Sequence, residues 1–417
     1  MDGARKVGTE LGLLILVLVA GLILAQPALL LLAIPLATHL TIGLAFSRRT
    51  RELQVRRRLS SQRIHEGDSL EVELSVENTG RDLDLVMTTE EQALARHKLE
   101  GTTSLAARLP DGGSLLLSYT TQPARGFYPL EGPHIYIRDI LGFATWQGAL
   151  PCPTPLWVFP RYDTVGRVGL SPRQTLSVPG SARSRRGGEG VQFLATRPYV
   201  PGDNLRHINW KALARRGQTV VNLYEEERAA EVTVVLDGRD RVYQPLGGRQ
   251  PFEHAVRACA ALCDSAVRDG HRTSLLLYGK RLEWVFSSSG RVHREKLLRG
   301  LARADLGSSE AFSDLGNLPS RLFPSGSSVI IVSPFVPGDE EALGMLRARG
   351  YDVLALVPTL PTPEGAEQEP TRLARRFIAL ERELMLQVLM SAGIRVAVWD
   401  INRPLGAAIK AAWRRRQ

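Results

Sequence analysis

The stretch Glu231-Val-Thr-Val-Val-Leu-Asp237-Gly-Arg239-Asp240 decides the fold of the C-terminal part of the chain. Its continuous apolar run is typical of a strand that is buried on both faces. Downstream, apolar strands alternate with segments of helical periodicity such as Phe252–Val267. Alternating β and α units predict an α/β doubly wound domain over residues 231–417, with a mostly parallel sheet covered on both faces. An antiparallel strand at Leu282–Phe286 is expected at its edge.

The chain begins with a long uncharged stretch. Leu11–Phe46 contains 36 residues without Asp, Glu, Lys or Arg, whereas one membrane-spanning helix needs about 20 apolar residues. Gln26-Pro27 interrupts the run, so we predict a two-helix transmembrane hairpin within residues 1–50. Basic flanks predict a multi-pass protein of the cell (inner) membrane with its bulk facing the cytoplasm. The segment Arg48–Arg58 is expected to contact anionic lipid.

Two regions lie between the hairpin and the α/β domain. Residues 51–165 are predicted to form an all-β, sandwich-like domain, because Ser69–Asn78 alternates polar and apolar residues and turn residues separate further short runs. Residues 166–230 are predicted to hold a linker and a distinctive segment. The Ser, Pro, Gly and Arg content of Ser171–Gly190 indicates a flexible connection, with a phosphate-binding basic loop as the alternative.

Charge, cysteines and motifs limit the possible functions. The formal net charge is +10, but the basic flank of the hairpin accounts for much of it, so no nucleic-acid partner is predicted. Cys259 and Cys263 lie four apart on a predicted helix, where buried apolar packing is favoured over a metal or redox pair. The sequence contains no nucleophile elbow, zinc-protease motif or Walker loop, so we predict no catalytic residue and no cofactor.

The predicted sheet places two polar residues at one edge. Asp237 follows the first strand of the domain, and Ser333 follows the strand at Ser328–Val332. In open α/β sheets, ligands bind in the crevice at the carboxyl ends of strands, where the strand order reverses. The candidate ligand-binding residues of this crevice are Asp237, Asp240 and Ser333.

The most distinctive segment is Thr196-Arg-Pro-Tyr-Val-Pro-Gly-Asp-Asn-Leu-Arg-His-Ile-Asn-Trp-Lys-Ala-Leu-Ala-Arg215. It resembles the signature of the bacterial and archaeal family known as domain of unknown function 58, which carries a similar Pro-Gly-Asp, an Arg, Ile-x-Trp-Lys and an Ala-Arg pair. Arg125-Gly-Phe-Tyr128 and Asp139–Phe143 also resemble the upstream pattern of that family. The signature residues are Tyr199, Gly202, Asp203, Arg206, Trp210, Lys211 and Arg215.

The resemblance implies a fold and a function. The α/β part is expected to be similar to a von Willebrand factor A domain, and the partner is expected to be a MoxR-type AAA ATPase. The predicted function is therefore a membrane-anchored, cytoplasmic protein-interaction scaffold or adaptor that assembles or remodels other proteins, and not an enzyme. The alternatives are a metal-dependent ligand-binding A domain and a cryptic hydrolase.

The same resemblance bears on the metal question. A metal-binding A domain carries Asp-x-Ser-x-Ser after its first strand, so that one carboxylate and two hydroxyls ligate a hard cation. Here both serine positions are occupied by arginine, at Arg239 and Arg241. An arginine repels a bound cation, so no metal is predicted. Asp237 is expected to pair with Arg239 or to cap a turn instead.

Two roles are open for the signature segment. Asp203 follows Pro-Gly and is expected in a turn or at a helix N-cap. Arg206 and Trp210 lie four apart and would share a helix face, while Arg215 and Arg216 would face the acidic run 225–227. We favour a structural clamp between domains over a docking surface, because a Trp in a short amphipathic segment is usually packed.

Overall fold

The computed structural model describes residues 2–47, 53–80, 83–88, 99–139, 145–166, 175–177, 183–359 and 369–414. The chain divides into two units, Met1–Phe159 and Pro160–Gln417. Each unit has an apolar core of its own, made from residues of that unit alone.

The first unit opens with a helical hairpin, α1 (Asp2–Ile23) and α2 (Pro27–Ser47). None of the helices in the described part of the chain is long and apolar enough to cross a membrane. The predicted two-helix transmembrane hairpin is therefore wrong. Glu10 belongs to α1 just before the uncharged run, Pro35 lies inside α2, and His39 Nδ1 lies 3.2 Å from Glu10 Oε2.

Beyond the hairpin, the described residues of the first unit form β-strands in three sheets ordered β1-β3-β7-β5, β10-β9-β4-β6 and β2-β11-β8. Neighbouring strands are antiparallel except β2 and β11, which are parallel. The strands are β1 (Leu53–Leu59), β2 (Arg63–His65), β3 (Leu70–Asn78), β4 (Leu83–Thr88), β5 (Leu99–Gly101), β6 (Ser104–Leu109), β7 (Ser114–Thr121), β8 (Gly126–Leu130), β9 (His134–Asp139), β10 (Thr145–Ala149) and β11 (Thr154–Phe159).

Strand β3 shows how these sheets share a core. Its residues Leu70, Val72, Leu74 and Val76 are fully buried, whereas most of the residues between them are exposed. Successive side chains of a strand point to opposite faces, so one face of β3 packs inward and the other meets solvent. The buried face joins apolar residues from β4, β7, β9 and β11 in one cluster. The strand predicted from the alternation is thus confirmed.

The basic segment after the hairpin lies partly outside the described residues, which resume at 53. Within the described part, Arg57 Nη1 donates hydrogen bonds to the carbonyl oxygens of Leu130 at 3.0 Å and Cys152 at 2.8 Å. Burial lowers the pKa of Arg57 below its ordinary value. This arginine therefore joins separate strands of the β-domain.

The second unit contains a long hairpin and an α/β sheet. Its strands are β12 (Thr175–Ser177), β13 (Arg183–Pro198), β14 (Val220–Asp237), β15 (Arg272–Tyr278), β16 (Glu283–Ser288), β17 (Ser328–Val332), β18 (Asp352–Thr359) and β19 (Arg395–Asp400). Its α-helices are α3 (Trp210–Arg216), α4 (Asp240–Tyr243), α5 (Arg249–Arg268), α6 (Arg291–Arg303), α7 (Asp339–Ala348), α8 (Glu369–Ser391) and α9 (Leu405–Arg414).

The sheet has the order β16-β15-β14-β17-β18-β19. Strands β14, β15, β17, β18 and β19 are parallel, and β16 pairs antiparallel with β15 at the edge. Consecutive residues of β17 and β18, such as Ile330 and Ile331, are buried, apart from the last residue of β18. Because consecutive side chains point to opposite faces, both faces of this sheet are covered.

Strand β14 serves two structures in turn. Its first half pairs antiparallel with β13, and its second half enters the parallel sheet at Glu231. The segment predicted as a flexible connection up to Gly190 differs in part, because Arg183–Gly190 belong to β13 and pair with residues of β14 around Glu225. The signature segment connects the far ends of β13 and β14 and so lies at the tip of this hairpin.

Candidate functional site

The crevice lies where the strand order reverses. After β14 the chain adds β15 on one side, and it later returns to add β17 on the other side. Leu236 of β14 is in register with Val332 of β17, so Asp237 and Ser333 follow these strands side by side. The Ser333 hydroxyl donates a hydrogen bond of 2.7 Å to Asp237 Oδ2. The structure therefore brings these two predicted residues together.

A buried arginine occupies the centre of this crevice. Arg239 Nη2 donates to Asp237 Oδ2 at 2.8 Å and to Asp339 Oδ2, also at 2.8 Å. Arg239 Nε lies 3.0 Å from Asp237 Oδ1, and Arg239 Nη1 lies 3.0 Å from Asp339 Oδ1. All three side chains are almost fully buried. The pair that the sequence suggested between Asp237 and Arg239 is confirmed, and Asp339 extends it to a triad.

Every N–H of the guanidinium has an acceptor. A guanidinium has five N–H donors. One Nε–H and two Nη2–H groups are directed at the two carboxylates, one Nη1–H is directed at Asp339, and the other meets the Ser313 carbonyl oxygen at 3.0 Å. Arg239 therefore connects the end of β14 with the loop around Ser313 and with the start of α7.

The loop between β17 and α7 is held by the same groups. Ser333 Oγ accepts a hydrogen bond of 2.9 Å from the Phe335 amide, and Asp339 Oδ2 accepts one of 2.9 Å from the Val336 amide. Phe335 has a φ of +54°, a left-handed conformation that is unfavourable for a bulky side chain. The surrounding hydrogen bonds hold the backbone in this conformation.

The electrostatics of the triad follow from burial and pairing. Burial alone would lower the pKa of Arg239, but the hydrogen bonds and charges of Asp237 and Asp339 raise it above its ordinary value. Burial raises the pKa of Asp339, and Arg239 partly opposes this rise. At neutral pH the arginine is therefore charged, and the acceptors of its N–H groups belong to the chain itself.

The remaining crevice candidate lies apart from the triad. Asp240 is the first residue of α4, and its Oδ2 accepts a hydrogen bond of 3.0 Å from Gln244 Nε2. Conversely, sequence reasoning missed Asp339, which lies 100 residues after Arg239. A signal was available, since Asp339 starts the helix that follows the strand ending before Ser333.

The signature segment has a well-defined internal framework. Arg197 Nη1 and Nη2 bind the two oxygens of Asp203 at 2.8 and 2.5 Å, and Asp203 Oδ2 also accepts from the Val200 amide at 2.9 Å. These bonds lower the pKa of Asp203, the hydrogen bond from Arg197 contributing most. Gly202 has a φ of +106°, as the turn requires. Asp203 therefore stabilises a turn, which is one of the two roles predicted for it.

Asparagines, and not Asp203, cap the two short helices. Asn204 caps the single 3-10 turn Leu205–His207, and Asn209 caps α3 by accepting from the Ala212 amide at 3.0 Å. Asn209 also donates to Asn222 Oδ1 of β14 at 3.0 Å. The hairpin tip is thus fixed to the strand below it.

The side chains that this framework presents are exposed. Trp210 is 65% exposed and Leu205 is 62% exposed, and Arg206, Lys211 and Arg215 are exposed as well. The structural clamp that we favoured requires a packed Trp210. Because the ring is mostly exposed, the prediction that it is buried is wrong. The physical reason is that Ile208, and not Trp210, is the buried anchor of the segment, in a bridge with Val221 of β14. The acidic side chains 225–227, expected to face Arg215 and Arg216, are not among the side chains that the structure describes.

Residues 195–361 match the family model described as Protein of unknown function DUF58. The DUF58 match spans both the signature segment and the crevice from Asp237 to Asp339. The chain is also similar to the uncharacterized protein YeaD of Bacillus subtilis (strain 168), with 23% identity over 268 residues. That alignment covers 63% of this chain and 65% of YeaD, which is just under two thirds of the relative's length.

Similarity to solved structures is distant. The manganese-loaded TRAP protein of Plasmodium vivax has 15% identity and a TM-score of 0.27, and the match covers 44% of this chain and 73% of that chain. Proximal thread matrix protein 1 from the mussel byssus has 12% identity and a TM-score of 0.29, with 44% and 47% covered. The cupredoxin domain of amoB from Nitrosocaldus yellowstonii has 14% identity and a TM-score of 0.17, with 30% and 98% covered.

Two cysteine thiols lie within α5. Cys259 and Cys263 are buried in α5, as predicted for small apolar residues, and burial raises the pKa of both thiols. Among the residues that the structure describes, no group of three or more His, Cys, Asp or Glu side chains is arranged to hold a metal ion.

Proposed function

We propose that this chain is a protein-interaction module that docks an acidic, partly apolar segment of a partner protein on its signature surface. The signature surface is defined by Val200, Leu205, Arg206, Trp210, Lys211 and Arg215. The observation that carries the proposal is the exposed Trp210 ring beside exposed cations. Trp and Arg are among the residues that most often dominate binding energy at protein interfaces.

The framework under the surface supports the same proposal. The double hydrogen bond between Arg197 and Asp203, the two Asn caps and the buried Ile208 hold the backbone of the segment in place. A pre-formed surface loses less entropy on binding than a mobile one. The exposed basic groups favour a partner with Asp and Glu near an apolar residue, since complementary charges speed association and select partners.

The partner in this proposal is a MoxR-type AAA ATPase, which the family resemblance implies, and the role is that of a scaffold or adaptor. The von Willebrand factor A-like character of residues 231–417 belongs to the same proposal. It is supported by the strand order with β14 at the centre and an antiparallel edge strand β16. A module of this kind binds proteins and performs no chemistry.

The test is a binding titration between the full chain and a purified MoxR-type AAA ATPase from the same source. Trp210→Ala should weaken binding by about thirtyfold or more, because truncation of a central interface Trp costs roughly 2 kcal/mol or more. Replacing Arg206 and Lys211 by Glu should weaken it further and reduce its salt dependence.

Phe286→Ala is the matched control, because Phe286 is equally exposed but lies on β16, far along the chain from the signature. This variant should bind like the unaltered protein. If Trp210→Ala binds as tightly as Phe286→Ala, the signature surface is not the docking site. If no variant and not even the unaltered chain binds the ATPase, the choice of partner is wrong.

A further inference from the structure

The crevice contains oxygen atoms of the kind that bind hard cations. Carboxylate and hydroxyl oxygens are the ligands that Mg²⁺, Mn²⁺ and Ca²⁺ prefer in proteins. Asp237, Asp339 and Ser333 supply such oxygens within one buried cluster, and Asp237 Oδ2 and Asp339 Oδ2 both accept from the same nitrogen of Arg239 at 2.8 Å. The point where these oxygens converge is occupied by a positive charge that is covalently part of the chain.

We propose that the Arg239 guanidinium takes the place of a divalent cation in this crevice. It fixes the surrounding loops without any metal, and it covers a latent Mg²⁺ or Mn²⁺ site that opens only when the guanidinium is removed. This inference is independent of the signature surface, which lies at the hairpin tip.

The geometry explains why an arginine suits this role. One guanidinium reaches Asp237 at the end of β14, the Ser313 carbonyl in a distant loop and Asp339 at the start of α7. A metal ion joins remote segments in the same way, by collecting oxygen ligands from each of them. A planar guanidinium is the side chain best matched to two carboxylates at once, and it remains charged when buried.

The saturation of the guanidinium has a consequence for binding. An open coordination position on a metal can accept a carboxylate from another molecule, whereas all five N–H groups of Arg239 already have acceptors within the chain. An external acid therefore finds no free donor on this cation. Arg239 therefore links the loops around the crevice to one another, and their arrangement does not depend on divalent ions.

The experiment compares thermal melting of the full chain in Mn²⁺ and in chelator. The unaltered protein should melt at the same temperature in both. Arg239→Ala should melt at a lower temperature in chelator, because two buried carboxylates then lack a counter-charge. With Mn²⁺ at about one hundred times its Kd, the melting temperature of this variant should rise by about 5 °C or more.

Two further variants make the test specific. Arg239→Ala combined with Asp237→Asn removes one of the oxygens that would bind the ion, so Mn²⁺ should no longer raise its melting temperature. Arg239→Lys keeps a positive charge but lacks the planar guanidinium that binds both carboxylates at once. Its melting temperature should lie between those of the unaltered protein and Arg239→Ala, and Mn²⁺ should not change it.

If Arg239→Ala does not fold in chelator, refolding from urea with and without Mn²⁺ replaces melting as the measurement. Recovery of folded protein only with Mn²⁺, lost again in the double variant, supports the proposal. An Arg239→Ala protein that gives the same result with Mn²⁺ as with chelator overturns the latent site. A rise in the melting temperature of the unaltered protein with Mn²⁺, abolished by Asp237→Asn, overturns the substitution of the metal by Arg239.

Discussion

At the scale of single residues, Trp210 is the side chain whose environment most changes the expected behaviour of the protein. Truncation of a buried Trp typically costs about 3–5 kcal/mol of unfolding free energy. Because Trp210 is mostly exposed, we expect Trp210→Ala to change this free energy by less than about 0.5 kcal/mol in urea unfolding. Trp399→Ala is the control, since Trp399 is buried and donates to the Arg403 carbonyl. Equal losses in the two variants would show that Trp210 is packed in solution.

Two histidines are expected to make the free energy of unfolding depend on pH. Burial lowers the pKa of His271 and of His293 below the usual value of about 6.5. His293 Nε2 donates to the Thr273 carbonyl at 2.5 Å, and His271 Nδ1 accepts from the Ala230 amide at 3.3 Å. The bond from Ala230 requires an unprotonated Nδ1 on His271. At His293 the bond to Thr273 opposes the effect of burial, but the pKa is still lowered.

The sign of the effect follows from the direction of these shifts. Below pH 6.5 the unfolded chain takes up protons that the folded histidines take up only at lower pH, so stability is lost as the pH falls. We expect the free energy of unfolding in urea to be lower at pH 5.5 than at pH 7.5. His293→Gln should show a smaller difference between the two pH values. An unchanged difference would mean that His293 does not contribute to the effect.

At the scale of elements, the turn between β15 and β16 packs closely against the backbone that follows Asp237. Gly279 has a φ of +150°, and a Cβ there would lie 2.4 Å from the backbone carbon of Gly238, the residue after Asp237. We expect Gly279→Ala to lower the free energy of unfolding by more than about 2 kcal/mol, because the backbone at residue 279 or at Gly238 would have to move to make room for the Cβ.

The control for this prediction is Gly247→Ala. Gly247 also has a positive φ, +97°, but a Cβ there meets nothing within 4 Å. This variant should lose only the cost of the left-handed backbone, about 1–2 kcal/mol. If chemical denaturation shows the same loss for both alanine variants, the contact between the turn and Gly238 is not a tight one.

At the scale of the whole molecule, the second unit is expected to fold without the first. Its core cluster joins residues of β14, β15, β17, β18, α7 and α8, all within Pro160–Gln417. A unit with its own core can unfold as one cooperative transition. Expressed alone, residues 160–417 should show a single sigmoidal thermal transition with a near-ultraviolet circular dichroism signal. A gradual transition without that signal would mean that the core needs the first unit.

The sequence by itself determined the local elements wherever the pattern of burial is regular along the chain. The alternation in Ser69–Asn78 predicted β3, and the apolar run before Asp237 predicted the end of β14. The pair between Asp237 and Arg239 could also be foreseen, because a single glycine separates two residues of opposite charge. The membrane hairpin was predicted wrongly, since a count of charged residues does not weigh Pro35 and His39 inside α2.

Only the tertiary structure decided which distant residues share a site and which face solvent. Asp339 joins Arg239 across 100 residues because parallel strands β14 and β17 end at the same edge of the sheet. Trp210 is exposed, whereas Ile208 two residues earlier is buried in a bridge with Val221 of β14. Periodicity records how a segment alternates between apolar and polar residues. Whether an apolar side chain is buried depends also on which distant parts of the chain pack against it. A local sequence pattern does not contain that information.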